Sequence, residues 1–279
     1  MIDAAWAERF AIGFEQDEEL RSIFVRELEL HMLEDVPGDF PLAGRSGLPR
    51  IVMQYWHDPD DIPDDVRACL NSWRRLEEHG FLLHEFCDES ALSYISINYG
   101  ARECAAFMRC RHPAMRCDYF RLCFILKEGG IYVDADDVLI SDDWSALFRD
   151  ERLKVQPLCY DVPSASMVEA SNIWSRDLKL EGRIFYANNN PLIGPSGHPL
   201  VQSALQRATG ILLGGAAHHE IQSTTGPGNL TAVLAAHARD LIVAGRPLDF
   251  EIMRSWESVA QTRWELSYRN DGRNWRNMR

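Results

Sequence analysis

Two aspartates one residue apart, Asp134 and Asp136, follow the β-rich run Ile131-Tyr132-Val133. Carboxylate oxygens at a strand end suit a hard divalent cation, Mg²⁺ or Mn²⁺, which fills its remaining positions with water and substrate phosphates. Alternation along an extended strand turns Tyr132, Asp134 and Asp136 to one side and Ile131 and Val133 to the core. Upstream, Asp118 and Arg121 stand three apart in a segment of helical spacing, so they share a face. Gly129-Gly130 permits a sharp turn from that helix into the strand. Five side chains able to do chemistry therefore fall within nineteen residues, Asp118 to Asp136. Asp134 and Asp136 are the candidate metal ligands, and Arg121 with these two the candidate catalytic groups.

Each part has a plainer alternative. Asp-x-Asp recurs at Asp58 and Asp60, and more acids stand at Asp142-Asp143; such pairs are usually solvated turns. Asp118 with Arg121 also suits a structural ion pair, and Trp56 a core tryptophan. His198 before Pro199 reads as a helix start. His218-His219-Glu220 is a poor metal cluster, because adjacent helical residues point in different directions.

The elements that would carry these groups follow from spacing. Residues 3 to 35 are rich in Glu, Leu, Phe and Ala, and Leu20, Phe24 and Leu28 recur on one helical face. Pro37 to Pro41 and Gly44 to Pro49 then break the pattern. This divides the chain into an N-terminal helical extension, residues 1–40, and a main domain with a C-terminal tail, residues 41–279. Ile51 to Trp56 and Phe81 to Phe86 read as strands. Pro63-Asp64-Asp65 starts a helix whose face carries Val66, Leu70, Trp73 and Leu76. Met115, Tyr119, Leu122 and Leu126 mark a helix after Pro113. Phe185 to Ile193 mixes strand and loop, and helices follow from Leu200 and over Leu230 to Leu241. Strands alternating with helices predict an α/β layered fold with a mainly parallel sheet.

Composition bounds the function. The chain has 279 residues, 46% hydrophobic and 25% charged, with a formal charge of −13. That suits a single large globular domain and gives no basic face for nucleic acid. No stretch approaches the ~20 apolar residues that span a bilayer. The N-terminus lacks the basic and apolar regions of a secretory signal. Seven cysteines, 69, 87, 104, 110, 117, 123 and 159, with no Cys-x-x-Cys, point to reduced thiols in a cytoplasmic protein, delivery out of the cell as an effector being left open. Cys104 to Cys123 are spaced too widely for a usual zinc knuckle. Arg269, Arg273, Arg276 and Arg279 crowd the last eleven residues, a local cationic tail that could meet a phosphate or simply be solvated.

The compound Asp118-x-x-Arg121, Gly129-Gly130, Tyr132-x-Asp134-x-Asp136 resembles glycosyltransferase family 32, the glycosyltransferases with an Asp-x-Asp sugar-binding region. Large clostridial glucosylating toxins and fungal initiating mannosyltransferases share that core. Leu48 to Trp56 is similar to the family's opening Ile-Pro-Lys-Ile-Ile-His-Gln-x-Trp strand, with Met53 where the family often has His. Asn189-Asn190-Pro191-Leu192-Ile193 before Gly197-His198-Pro199, and Thr225-Gly226-Pro227-Gly228, resemble further family segments. The resemblance runs over residues 48 to 230. It implies a GT-A type, Rossmann-like fold with a central mixed sheet flanked by helices, a nucleotide-sugar donor (UDP- or GDP-linked) and Mn²⁺ or Mg²⁺. It also implies transfer of a hexose with retention, to a glycan, lipid-linked or protein acceptor.

By the same resemblance, Trp56 stacks on the nucleobase beside Gln54 and Tyr55, and Asp118 holds the ribose or the sugar hydroxyls. Arg121 contacts the donor sugar or phosphate. Asp136 binds the metal, Asp134 supports the metal or the ribose, and Tyr132, Ala135 and Asn189 line the donor pocket. The family's closing His-x-x-x-Ser-Trp is replaced by Gly272-Arg273-Asn274-Trp275. Trp275 is the expected closing residue of a tail that covers the donor and excludes water, with Trp256 as its rival and Arg273 or Arg276 meeting the diphosphate. The N-terminal helices are candidates for binding an acceptor, a partner or a membrane surface, against the plainer reading of a packed extension. Two other functions share parts of this pattern. A phosphohydrolase of the haloacid-dehalogenase type would need its Asp-x-Asp near the N-terminus and a later Gly-Asp-x-x-x-Asp, which is absent. A catalytically silent sugar-binding protein would not need all of Asp118, Arg121, Asp134 and Asp136.

Overall fold

The computed structural model of the protein describes residues 2–34, 47–215, 220–254, 256–274 and 276. Its strands are β1 Ile51–Tyr55, β2 Leu82–Phe86, β3 Gly130–Tyr132, β4 Asp137–Leu139, β5 Leu153–Val155, β6 Pro157–Asp161, β7 Ser166–Met167, β8 Arg183–Ala187, β9 Leu192–Gly194, β10 Phe250–Ile252 and β11 Ala260–Thr262. Its helices are α1 Ala4–Glu8, α2 Glu18–Glu34, α3 Asp64–Ser72, α4 Asp88–Asn98, α5 Ala101–Arg109, α6 Pro113–Glu128, α7 Ala170–Ile173, α8 Pro199–Leu213, α9 Ile221–Thr224 and α10 Pro227–Val243.

Six strands form a mixed sheet in the order β10-β5-β9-β3-β1-β2. β1 runs parallel to β2 and β3, while β9 lies antiparallel to β3 and β5. Helices flank this sheet, the α/β layering that the alternation of elements predicts, with the central mixed sheet that the resemblance implies. Residues alternate between its two faces. Met53, Tyr132 and Leu192 enter the larger core with α6 and α8, while Val52, Ile131 and Ile193 meet Trp73, Leu76 and Trp256. A ribbon of β4 and β11 and a three-stranded sheet β7-β6-β8 flank the carboxyl ends of the central strands.

Two local choices set the position of the Asp-x-Asp segment. The first is α6. Pro113 occupies its first turn and the His112 ring Nδ1 accepts from the Ala114 N–H at 3.1 Å. Phe120, Leu122, Phe124 and Ile125 are buried, each stabilising by about 1.5–3 kcal/mol, so the helix is a fixed beam inside the core. The second is the reversal at Gly129-Gly130. Gly130 has φ +99°, and a Cβ there would stand 2.6 Å from the Ile51 carbonyl oxygen of β1. Only glycine allows β3 to enter the sheet this close to β1.

The expected strand through Asp136 is shorter than its composition suggests. β3 ends at Tyr132, and the Asp137 N–H returns to the Asp134 carbonyl at 3.1 Å, closing a turn. Tyr132 pairs with Leu192 at the start of β9, and the residue before it, Pro191, has no N–H to extend the ladder.

The N-terminal helices share the main core. Trp6, Phe10 and Phe14 surround Phe24, with ring centroids 4.9–5.0 Å from it. Phe24 and Leu28 are buried as their spacing predicts, but Leu20, in the first turn of α2, is 44% exposed. Arg26 donates to the Ile173, Ser175 and Leu178 carbonyls at 2.6, 2.6 and 3.1 Å, tying α2 to the end of α7 and the segment that follows it. No helix among the described residues is long and apolar enough to cross a membrane.

Candidate active site

Beyond the carboxyl ends of β1 and β3, where open α/β sheets bind ligands, lies a cavity of about 840 Å³. Asp118 and Arg121 reach it from α6, Tyr132 from β3, and Asp134, Ala135 and Asp136 from the turn that follows. These residues share one space, as expected, but the turn brings Asp134 and Asp136 there, not strand alternation.

The contacts join them into a network. Arg121 pairs with Asp118 at 2.9 Å and with Asp134 at 3.1 Å, and its guanidinium lies 3.9 Å from the Tyr132 ring centroid. The Tyr132 hydroxyl donates to Asp134. The Asn189 carbonyl accepts from Arg121 at 2.9 Å, its amide donates to Asp118 at 2.8 Å, and Thr225 adds a long hydrogen bond to Asp118 at 3.4 Å. Burial, then the negative charge of Asp134, pushes Asp118 up to about 6 despite Arg121.

Asp137 and Asn190 do not appear among the sequence candidates. Asn190 accepts from the Asp134 N–H at 3.0 Å and donates to Asp137 at 2.9 Å. Asp137 is fully buried and also accepts from Thr262 of β11 at 2.6 Å. Burial, then Asp136 and Asp134, raises its carboxyl above the usual range. The pair thus clamps the Asp-x-Asp turn from behind. The sequence signals were faint: a third acid directly after Asp136, and a second Asn directly after Asn189.

Asp136 is held from the C-terminal segment. Tyr268 donates to it at 2.8 Å, Arg269 forms an ion pair with the same oxygen, and the Asp136 carbonyl accepts from the Arg263 N–H at 2.8 Å. Burial, then Asp134, raises the Asp136 carboxyl, with Arg269 opposing. Arg273, one of the expected phosphate contacts, lines the cavity, pairs with Asp61 at 3.0 Å and lies 5.9 Å from the Trp56 ring centroid. Arg276 lies 5.5 Å from the ring centroid of Trp264, an exposed tryptophan on the cavity wall. Trp275 lies outside the described residues. Trp256 reaches the cavity but is buried and stacks on Trp73, a core position.

Trp56 and Tyr55 line the cavity, the indole N–H of Trp56 donating to the Asp61 carbonyl at 2.9 Å. Gln54 does not. It is buried against a second recess of about 100 Å³, which Tyr55 and Trp56 also border. His198 caps α8, accepting from the Leu200 N–H at 3.2 Å. Glu220 caps α9, while His218 and His219 lie outside the described residues. Asp58 accepts from the Asp60 N–H at 3.0 Å in an exposed turn. All seven cysteines are unbridged.

The residues fit a hard divalent cation. Asp118, Asp134 and Asp136 are three carboxylates on the cavity, contacted by the two guanidiniums of Arg121 and Arg269, with Asp137 buried behind them. Among the described residues no three His, Cys, Asp or Glu side chains converge as a closed cage. Asp134 and Asp136 would therefore share such an ion with water and substrate oxygens, the habit of Mg²⁺ and Mn²⁺.

Residues 63–150 match the family model described as glycosyltransferase sugar-binding region containing DXD motif. These residues form a glycosyltransferase sugar-binding region of the DXD type. The matched stretch runs from the start of α3 past β4 and contains Asp118, Arg121, Tyr132, Asp134 and Asp136. The chain is also similar to a solved structure, the PaToxG glycosyltransferase, at 12% identity and a TM-score of 0.44, over 88% of this chain and 93% of that one. No curated protein matches it.

Proposed function

We propose that this glycosyltransferase moves a hexose from a nucleotide-sugar donor, UDP- or GDP-linked, with a divalent metal, to a glycan, lipid-linked or protein acceptor. The observation that carries this reading is the Asp-x-Asp turn itself: Asp134, bound to Arg121 at 3.1 Å, and Asp136 face one cavity at the carboxyl ends of β1 and β3. Trp56 offers a ring for the base at one end. Asp118, fixed by Asn189 and Arg121, offers acceptor oxygens for ribose or sugar hydroxyls. A metal held by Asp134 and Asp136 would act as a Lewis acid on the leaving diphosphate. Arg121 stabilises negative charge developing on the departing phosphate oxygens and is already oriented for it. The sugar is then attacked on the face the diphosphate leaves, through an oxocarbenium-like state, and the anomeric configuration is retained.

The test is donor turnover with UDP- and GDP-hexoses, the product's anomeric configuration being read by proton NMR. Asp136→Ala is expected to lower turnover by about 10²-fold or more, the scale of several kcal/mol, while the chain stays folded. Full activity in excess EDTA, or an inverted product, overturns the reading.

A further inference from the structure

Asp136 does not stand alone. Its Oδ2 accepts from the Tyr268 hydroxyl at 2.8 Å and pairs with the Arg269 guanidinium, and both donors come from one turn, Ser267–Asn270. That turn is anchored independently. Asp65 accepts from the Ser267 N–H at 2.7 Å and from its hydroxyl at 3.0 Å. Beyond it, the His112 ring lies 3.2 Å from the Gly272 carbonyl. Because His112 Nδ1 accepts a backbone N–H, its Nε2 carries the proton and donates. Arg269 also stacks 4.7 Å from the Trp264 ring centroid and lines the cavity. A cation is thus built onto the carboxylate that the Asp-x-Asp reading gives to the metal.

We propose that Arg269 is a donor-phosphate-binding residue that, together with the metal, forms a two-cation clamp anchored on Asp136. This rests on the reading of the cavity as a metal-dependent nucleotide-sugar site. A guanidinium and a divalent ion beside one carboxylate repel each other. An anion that bridges them removes the repulsion, and a diphosphate has the charge and the oxygens to do so. The fork of a guanidinium suits it to contact a carboxylate and a phosphate oxygen at once. Arg269 therefore weakens metal binding in the empty site and strengthens it once a nucleoside diphosphate is present. The result is positive coupling between metal and nucleotide, and Arg269 carries it.

The experiment measures Mn²⁺ binding to the full chain by electron paramagnetic resonance, alone and with saturating UDP or GDP. In the wild type, one nucleotide is expected to tighten Mn²⁺ binding by about 10-fold or more, within the usual range of coupling. In Arg269→Gln, Mn²⁺ alone binds tighter than in the wild type, and the tightening by nucleotide falls to less than about 3-fold, below that range. Arg269→Lys keeps the charge and loses the fork, so Mn²⁺ alone binds as in the wild type and part of the coupling is lost. Mn²⁺ and nucleotide binding with the same coupling in Arg269→Gln overturns the clamp and leaves the donor site standing. A wild type that binds neither Mn²⁺ nor nucleotide overturns both.

Discussion

Two buried arginines in this protein each face an acid one helical turn away on their own helix. On α6, Arg121 meets Asp118 at 2.9 Å; on α2, Arg26 meets Glu29 at 3.6 Å, too long for a hydrogen bond. In sequence both are an acid and an arginine three apart. Their surroundings separate them. Arg26 spends its donors on three backbone carbonyls and stacks 4.9 Å from Phe185, and neither Glu29 oxygen has a hydrogen-bond partner. Asp118 has two neutral donors, Asn189 and Thr225, and Arg121 extends past it to Asp134 at a cavity wall. The α2 pair closes packing. The α6 pair holds a carboxylate ready beside open space. Charge pairs of one spacing take different places in the fold according to what else satisfies them.

Replacing each arginine by lysine keeps the charge and removes the fork, and gives the largest expected contrast. Arg121→Lys should lower donor turnover by about 10²-fold or more, the scale set by losing one oriented charge-stabilising donor. Arg26→Lys should leave turnover per folded molecule intact and cost about 2–3 kcal/mol in urea unfolding, since a single ammonium cannot reach all three carbonyls. If both variants lose turnover alike, the division into structural and functional pairs is broken.

Glu29 sharpens the contrast through pH. Burial raises its carboxyl from 4.5 to about 8, against the pull of Arg26. For a raised acid the folded state holds the proton that the unfolded state releases. Its favourable contribution is therefore complete below its unfolded value and is lost as pH rises through about 8. Wild-type stability should fall relative to Glu29→Gln over that window, with a slope of up to about 1.4 kcal/mol per pH unit. Urea midpoints at pH 5, 7 and 9 check this. Parallel profiles for the two proteins would show Glu29 charged and comfortable, and the α2 pair no different in kind from that on α6.

The part of the site that was legible in sequence is the part whose contacts are local. Asp118, Arg121, Tyr132, Asp134 and Asp136 lie in one helix–turn–strand unit, so spacing and the two glycines suffice to bring them together. The shortfall came at longer range. Asp137 gains its role from Thr262, 125 residues on, and Asp136 is held by Tyr268 and Arg269, 132 and 133 residues on. Arginines in the tail were visible, but no periodicity tells Arg269 from Arg273. Val133 suits a strand as well as Ile131 does, so composition extends the strand past Tyr132; Pro191, on the neighbouring strand's approach, ends the ladder. The resemblance groups Gln54 with Tyr55 and Trp56, and all three border one small recess, but only Tyr55 and Trp56, at the strand end, also reach the cavity.

Thr225 offers the smallest and most selective test. Its hydroxyl reaches Asp118 at 3.4 Å, and the residue is itself buried, so the hydrogen bond is long but shielded. Thr225→Val keeps the branched shape and removes the donor, moving Asp118 a step toward the condition of Glu29. Asn189 and Arg121 still hold the carboxylate, so the fold should lose at most about 1 kcal/mol. If Asp118 binds donor hydroxyls, its altered alignment weakens donor binding in ground and transition state together. The donor KM then rises by about 2- to 5-fold, matching about 0.5–1 kcal/mol, while kcat is unchanged. Thr225→Ser, which restores the hydroxyl, should bring KM back. A fall in stability without any change in KM, or no rescue by Ser, would place Asp118 with Glu29, as a carboxylate that serves packing alone.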